Sequence, residues 1–136
     1  MIRRSALVAV VLLAGCGSSA DPNASIRRDL ERGVAQIRTT HDRKQLRAEL
    51  RRTVARLRRD DPSTPAGRRA RRLALAGFAA TLRGVQSQID FVDNDSGNVA
   101  AATRDAIRAD RFLARGARLL RAAGRVLGLH LVVRRG

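Results

Sequence analysis

The amino-acid sequence predicts an all-α protein, a small up-and-down bundle of three or four helices behind a flexible N-terminal tether. Apolar residues recur at spacings of three and four through most of the chain, which is the pattern of helices that bury one face. Short segments with Pro, Gly, Asp and Asn interrupt the pattern, and short connections favour antiparallel neighbours. The alternation typical of a strand does not compete with this pattern outside the C-terminal tail.

Two short helices are predicted first, with an N-cap at Ser25. Each carries an apolar stripe with the same spacings, formed by Ile26, Leu30, Val34 and Ile37 and by Leu46, Leu50, Val54 and Leu57. On one continuous helix the stripes would point about 180° apart, so we expect a break at residues 39–42. Asp42 and Gln45 have the spacing of a capping box at the second start. One long helix with two apolar faces is the alternative.

Two longer helices are predicted after residues 60–67, the first beginning at Thr64 or Pro65. Its heptad-like apolar seam consists of Leu75, Phe78, Leu82, Val85, Ile89 and Val92. The seam of the last helix consists of Val99, Ala102, Ala106, Ala109, Leu113, Gly116, Leu120, Ala123 and Leu127. Its small residues allow a partner helix to approach closely. Residues 129–133 are either a frayed helix end or a short extended strap.

The N-terminus has the layout of a secretory signal. Arg3 and Arg4 precede nine apolar residues at positions 6–14, which are too few for a membrane-spanning helix of about 20 residues. Small residues follow, and the segment Leu13-Ala14-Gly15-Cys16 resembles the lipobox of bacterial lipoproteins at all four positions.

The lipoprotein resemblance covers the first sixteen residues and implies cleavage between Gly15 and Cys16, with a diacylglyceryl thioether on Cys16. Residues 1–15 are then a signal peptide, and residues 16–24 are the lipidated cysteine and its flexible tether. The helical bundle domain is expected at residues 25–133 and a basic tail at 134–136. The implied location is the extracytoplasmic face of the cell membrane, where the lipid anchors the protein.

Arginine dominates the charge of the chain. Lys and Arg number 28 against 12 Asp and Glu, and Lys44 is the sole lysine. Six arginines of the last helix share the face opposite its seam, namely Arg104, Arg108, Arg111, Arg115, Arg118 and Arg125. We interpret them as an anion-binding face for phospholipid headgroups, anionic wall polymers or an acidic partner. An ordinary solvated face is the alternative, since this chain uses Arg for nearly every basic residue.

The sequence predicts no catalytic residues, no metal site and no cofactor. A single Cys leaves no internal disulfide or Cys-rich zinc site, and His41 and His130 have no metal-ligand spacing. A faint calcium-loop pattern starts at Asp93, but Arg104 stands where the bidentate Glu is required. No nucleophile, P-loop or dinucleotide-binding motif occurs.

Nucleic acid is not the favoured partner despite the high charge. Charge alone gives salt-sensitive phosphate affinity, but the chain has no Tyr or Trp for base stacking, and export would remove the usual target. The sequence therefore favours a membrane-anchored lipoprotein that acts as a non-catalytic interaction or structural module and docks onto another envelope protein. The alternative is a binding module for anionic lipids or polymers that uses the arginine face.

Overall fold

The computed structural model describes residues 20–94 and 97–134, and these form an all-α bundle. The helices are α1 (Ala24–Thr39), α2 (Arg43–Arg59), α3 (Pro65–Asp93) and α4 (Val99–Val126). Successive helices run up and down, which confirms the predicted fold class. We call the end where α1 and α3 begin and α2 and α4 end the tether end, and the opposite end the distal end.

The break between α1 and α2 lies at residues 40–42, as predicted, so the alternative of one long helix is wrong. Asp42 caps α2, because its carboxylate accepts a hydrogen bond from the Gln45 backbone N–H at 2.6 Å. The reciprocal half of the capping box is missing, since the Gln45 side chain donates instead to Glu49 at 2.9 Å. With the break in place both apolar stripes point into one core, and Leu30, Leu50 and the other central residues are buried.

The N-cap predicted at Ser25 is wrong, because α1 begins at Ala24 with Asn23 in the cap position. The Asp21 carboxylate accepts from the Asn23 N–H at 2.9 Å, and the Asn23 carbonyl accepts from the Arg27 N–H at 2.9 Å. These bonds turn the chain into the helix earlier than expected. The Ser25 hydroxyl instead donates to the Asp60 carboxylate at 2.6 Å, which joins the start of α1 to the end of α2.

The start of α3 follows the prediction. Thr64 is its N-cap and accepts from the Gly67 N–H at 2.9 Å, and Pro65 occupies the first turn. The Arg71 guanidinium donates to the Leu57 carbonyl at 2.9 Å and to the Arg58 carbonyl at 2.8 Å. Arg71 thereby satisfies carbonyls that the end of α2 leaves without helical partners.

Helices α3 and α4 pack closely through small residues. A Cβ atom added at Gly77 would lie 2.8 Å from the Leu120 side chain, and one added at Gly84 would lie 2.7 Å from Leu113. These pairs fix an antiparallel register, with the small residues on α3. The close approach predicted for the small residues of the α4 seam occurs at Gly116, where an added Cβ would lie 3.0 Å from the Gly77 carbonyl oxygen. The seams do not stay buried to the distal end, where Val92 is 72% exposed and Val99 is 77% exposed.

The C-terminal tail is an extended strap and not a frayed helix. Helix α4 ends in a Schellman motif, in which the Leu129 N–H donates to the Gly124 carbonyl at 2.8 Å and Gly128 adopts a φ of +70°. Gly suits this left-handed conformation, which reverses the chain direction. Leu131 then packs over Gly124, and Val133 is buried in the core. The strap covers the core edge that α4 alone leaves open.

Candidate anion-binding surface

Helix α4 presents one face to α3 and leaves the opposite face to solvent. On that open face the side chains enclose a groove of about 430 Å³. We call it the arginine groove, and it is lined by Arg104, Ile107, Arg108, Arg111, Phe112 and Arg115. All six residues belong to one helix, so the i, i+3 and i+4 spacing of α4 alone sets their positions.

The arginine groove carries positive charge that nearby carboxylates do not neutralise. Arg108 lies 3.7 Å from the Asp105 carboxylate. Within the described part of the chain, Arg104, Arg111 and Arg115 have no carboxylate within 4.0 Å. Guanidinium groups that lack an internal partner remain available to an external anion.

An arginine from α3 borders the arginine groove. The Arg83 guanidinium carbon lies 5.7 Å from the centre of the Phe112 ring, within cation–π range. The half-buried Phe112 ring therefore lies at the side of the groove nearest α3. The contact also brings a further positive charge to the edge of the groove, contributed by a different helix.

The structure brings together four of the six arginines predicted for the anion-binding face. Arg118 and Arg125 are exposed further along α4 and do not line the groove. Sequence reasoning missed Ile107, Phe112 and Arg83. Ile107 and Phe112 are large apolar residues outside the α4 seam, a signal that the sequence contains. Nothing in the sequence placed Arg83 beside Phe112, because they meet only through the register of α3 and α4.

The arginine groove lies towards the distal end of the bundle. Arg115 and Arg104 precede the end of α4 by about 17 and 33 Å, at a rise of about 1.5 Å per residue. Beyond the groove, large apolar side chains are exposed at Phe91, Val92 and Val99. The distal half of α3 and α4 therefore combines unneutralised arginines with apolar surface.

The remaining predicted functional positions give no assembled centre in the described residues. Across residues 20–94 and 97–134 no three His, Cys, Asp or Glu side chains group as a metal site would require. His41 and His130 are both exposed and lie on different elements, the α1–α2 loop and the C-terminal strap. The turn that resembled a calcium loop ends at Asn98, whose side chain caps α4 by accepting from the Ala101 N–H at 3.1 Å.

The predicted lipidation and cleavage positions, Cys16 and Gly15, lie outside the described residues, as do the first four residues of the tether (16–19) and the last two residues of the basic tail. None of helices α1 to α4, the helices of the described chain, is both long enough and apolar enough to cross a lipid bilayer.

Comparison of the chain with known protein families, with curated proteins and with solved structures finds no match. The geometry of the bundle and the N-terminal sequence are therefore the basis of the proposed function.

Proposed function

We propose that this protein is a lipid-anchored, non-catalytic interaction module of the bacterial cell envelope, and that the arginine groove is its docking surface for another envelope protein. The observation that carries the proposal is the open face of α4, where unneutralised arginines flank Ile107 and Phe112. Interfaces are enriched in arginine and aromatic residues, because both offer large contact areas with directional polar groups.

The lipid anchor is proposed from the lipobox at Leu13-Ala14-Gly15-Cys16. Two acyl chains on one cysteine anchor a protein stably, whereas a single chain gives only marginal binding. The described part of the chain starts four residues after this cysteine, and Asp21 there bonds to Asn23 and Arg27. The path from Cys16 to Ala20 spans at most roughly 14 Å. The tether end would therefore sit beside the bilayer.

We infer that the arginine groove points away from the anchoring membrane. When the helices stand along the membrane normal, the groove begins about 17 Å further from the membrane than the C-terminal end of α4. Electrostatic attraction to the bilayer decays over about 8–10 Å at physiological salt. A groove at that height lies outside the range of this attraction, so it is better placed to contact another envelope protein than the headgroups of the anchoring bilayer.

A second candidate function is direct binding of an anionic ligand, such as lipid headgroups or wall polymers. The observation that favours it is that Arg104, Arg111 and Arg115 have no carboxylate partner among the described residues. Each basic residue near an anionic surface contributes about 1 kcal/mol of attraction.

Photo-crosslinking in the native cell tests the docking function. A photoreactive side chain at Ile107 should give a discrete crosslinked species, and Arg108→Gln/Arg111→Gln/Arg115→Gln should remove it. A matched triple variant replaces Arg38, Arg51 and Arg72, which are exposed elsewhere and also lose three charges. That control should retain the crosslink. Loss in both variants, or retention in both, would refute the groove as the docking surface.

Salt dependence separates the two candidate functions. Binding of the protein to vesicles that contain anionic lipid should fall steeply between low and moderate salt if the groove acts as an anion-binding site. Docking to a protein partner through Ile107 and Phe112 should persist at moderate salt. Vesicle binding that survives Arg108→Gln/Arg111→Gln/Arg115→Gln would exclude the second function.

Intact mass spectrometry of protein from its native host tests the anchor. We expect a chain that begins at Cys16 and carries the mass of attached fatty chains, whereas Cys16→Ser should remain unprocessed. An unaltered chain that begins at Met1 and is recovered from the cytosol would contradict the lipoprotein assignment and the envelope location together.

A further inference from the structure

A second basic site lies between α1 and α2 at the tether end, remote from the arginine groove. It is a cavity of about 290 Å³ formed by side chains of both helices and the residue that follows α2. We call it the α1–α2 cavity, and it is lined by Ser25, Arg28, Asp29, Arg32, Arg56, Arg59 and Asp60. Unlike the groove on α4, it is built across two helices.

A buried carboxylate holds part of this cavity in place. Asp29 is only 6% exposed and accepts from the Arg56 Nε–H at 3.0 Å, while an Arg32 nitrogen lies 3.6 Å from the same oxygen. Arg56 also donates to the Thr53 hydroxyl at 2.9 Å, and that hydroxyl donates to the Gln36 side chain at 3.0 Å. The Arg56 guanidinium is therefore fixed before any ligand arrives, which reduces the entropy lost on binding.

The α1–α2 cavity has more positive than negative charge. Asp29 is already engaged with Arg56 and Arg32. Asp60 accepts the Ser25 hydroxyl with one oxygen, and its second oxygen is shielded from solvent without a hydrogen-bond partner in the described structure. Arg28 and Arg59 have no carboxylate within 4.0 Å in that same part of the chain. Four arginines and two aspartates leave an excess of two positive charges, which favours an anionic group such as a phosphate.

The placement of one unneutralised arginine on each helix also suits a phosphate. Guanidinium groups bind phosphate oxygens in a bidentate geometry, and two helices that each offer one unneutralised arginine can hold a phosphate between them.

We propose that the α1–α2 cavity binds a phosphate group, with Arg28 and Arg59 contacting the phosphate oxygens and Asp29 positioning Arg56 and Arg32 around them. The phosphate can belong to an anionic lipid headgroup or to a free phosphate or phosphate ester. The contacts and charges of the cavity support phosphate binding by themselves, whether or not the arginine groove docks a partner and whether or not Cys16 is lipidated.

Titration of the full chain with inorganic phosphate, in a non-ionic detergent that contains no phosphate, tests the site. NMR signals of the arginine Nε–H groups should shift saturably at Arg28 and Arg59. Arg28→Gln/Arg59→Gln should weaken phosphate binding about tenfold or more, because two charge-assisted hydrogen bonds are lost. Circular dichroism should show an unchanged helix content, since both side chains are exposed.

A charge-matched control separates a site from general attraction. Arg38→Gln/Arg51→Gln removes one exposed arginine from each of the same helices, outside the cavity, and should change phosphate affinity by less than about twofold. The groove variant Arg108→Gln/Arg111→Gln/Arg115→Gln should likewise retain phosphate binding. Shifts that rise linearly without saturation, or equal weakening by both arginine pairs, would overturn the proposal and leave only nonspecific charge.

Vesicles then identify the source of the phosphate. The full chain is compared on vesicles of phosphatidylglycerol with phosphatidylcholine and on vesicles of phosphatidylcholine alone. If the ligand is a lipid headgroup, Arg28→Gln/Arg59→Gln should lose the preference for the anionic vesicles, while Arg38→Gln/Arg51→Gln should retain it. If saturable phosphate binding is present and both pairs behave alike on vesicles, the ligand is a free phosphate or phosphate ester.

Discussion

Replacing Gly116 with alanine places a methyl group against the backbone of α3. An added Cβ would lie 3.0 Å from the Gly77 carbonyl oxygen and 3.1 Å from the Thr81 backbone nitrogen, and it would also meet the Thr81 hydroxyl. The hydroxyl cannot simply turn away, because it donates to the Gly77 carbonyl at 3.0 Å. Since two of the obstructing atoms belong to the backbone, we expect α3 and α4 to move apart.

The expected loss follows from two opposing effects. Alanine is favoured over glycine inside a helix by about 1 kcal/mol. Forcing an extra methyl group into a packed interface costs about 1–3 kcal/mol of stability. We expect a cost near the upper end of this range at Gly116, because the obstructing backbone atoms of α3 cannot rotate away as a side chain can. The free energy of unfolding should therefore fall by about 1–2 kcal/mol, and Tm by about 5–10 °C.

Urea denaturation followed by circular dichroism measures this loss. Ala79→Gly is the matched control, because Ala79 is exposed on α3 and reports the helix propensity difference without the interface. Adding Thr81→Ala to the Gly116→Ala variant should recover part of the lost stability, while the Gly77 carbonyl still obstructs. If Gly116→Ala instead stabilises the protein by about the amount that Ala79→Gly costs, the close packing of α3 on α4 is refuted.

Three other regions give measurable predictions. Asp29→Asn leaves Arg56 without its carboxylate and should lower the free energy of unfolding by about 1–2 kcal/mol in urea denaturation, so unchanged stability would exclude a structural ion pair. Leu131→Ala should cost about 1–2 kcal/mol in the same assay, and no loss would mean that the strap does not pack. A hydrogen bond from the Gln45 side chain lowers the pKa of Glu49 from its ordinary value of 4.5. The ionised Glu49 therefore stabilises the folded state above pH 4.5, and this stabilisation is lost as the pH falls through the lower pKa of the folded state. Gln45→Ala should raise the Glu49 pKa in an NMR titration, and an unmoved pKa would contradict this cause.

Features that depend on neighbours in sequence were predictable. The caps at Asp42 and Thr64 each bond to a backbone N–H three residues ahead, so local spacing is enough to find them. The cap predicted at Ser25 is wrong, and the actual partner of its hydroxyl, Asp60, lies 35 residues away, beyond the reach of local spacing. The predicted seam of α3 holds the buried Phe78, Val85 and Ile89, but the face of α3 that packs on α4 is formed by Gly77, Thr81 and Gly84, which lie outside that seam. Periodicity also does not show where a neighbouring helix stops. The exposure of Val92 therefore required the structure.

The candidate sites likewise contain features that local spacing predicts and features that only the packing of helices creates. The arginine face of α4 was predicted because i, i+4 and i+7 spacing along one helix fixes it. The contact of Arg83 with Phe112 and the cluster around Asp29 were not predicted, because they join different helices.

Apolar periodicity and capping residues in the sequence determined the helices, their faces and the likeness to a lipoprotein signal, since these features involve residues a few positions apart. Tertiary structure alone decided which charges are neutralised and which stay available. Whether an arginine meets a carboxylate depends on the register and separation of packed helices, and distances of a few ångströms between remote segments are not encoded in local spacing.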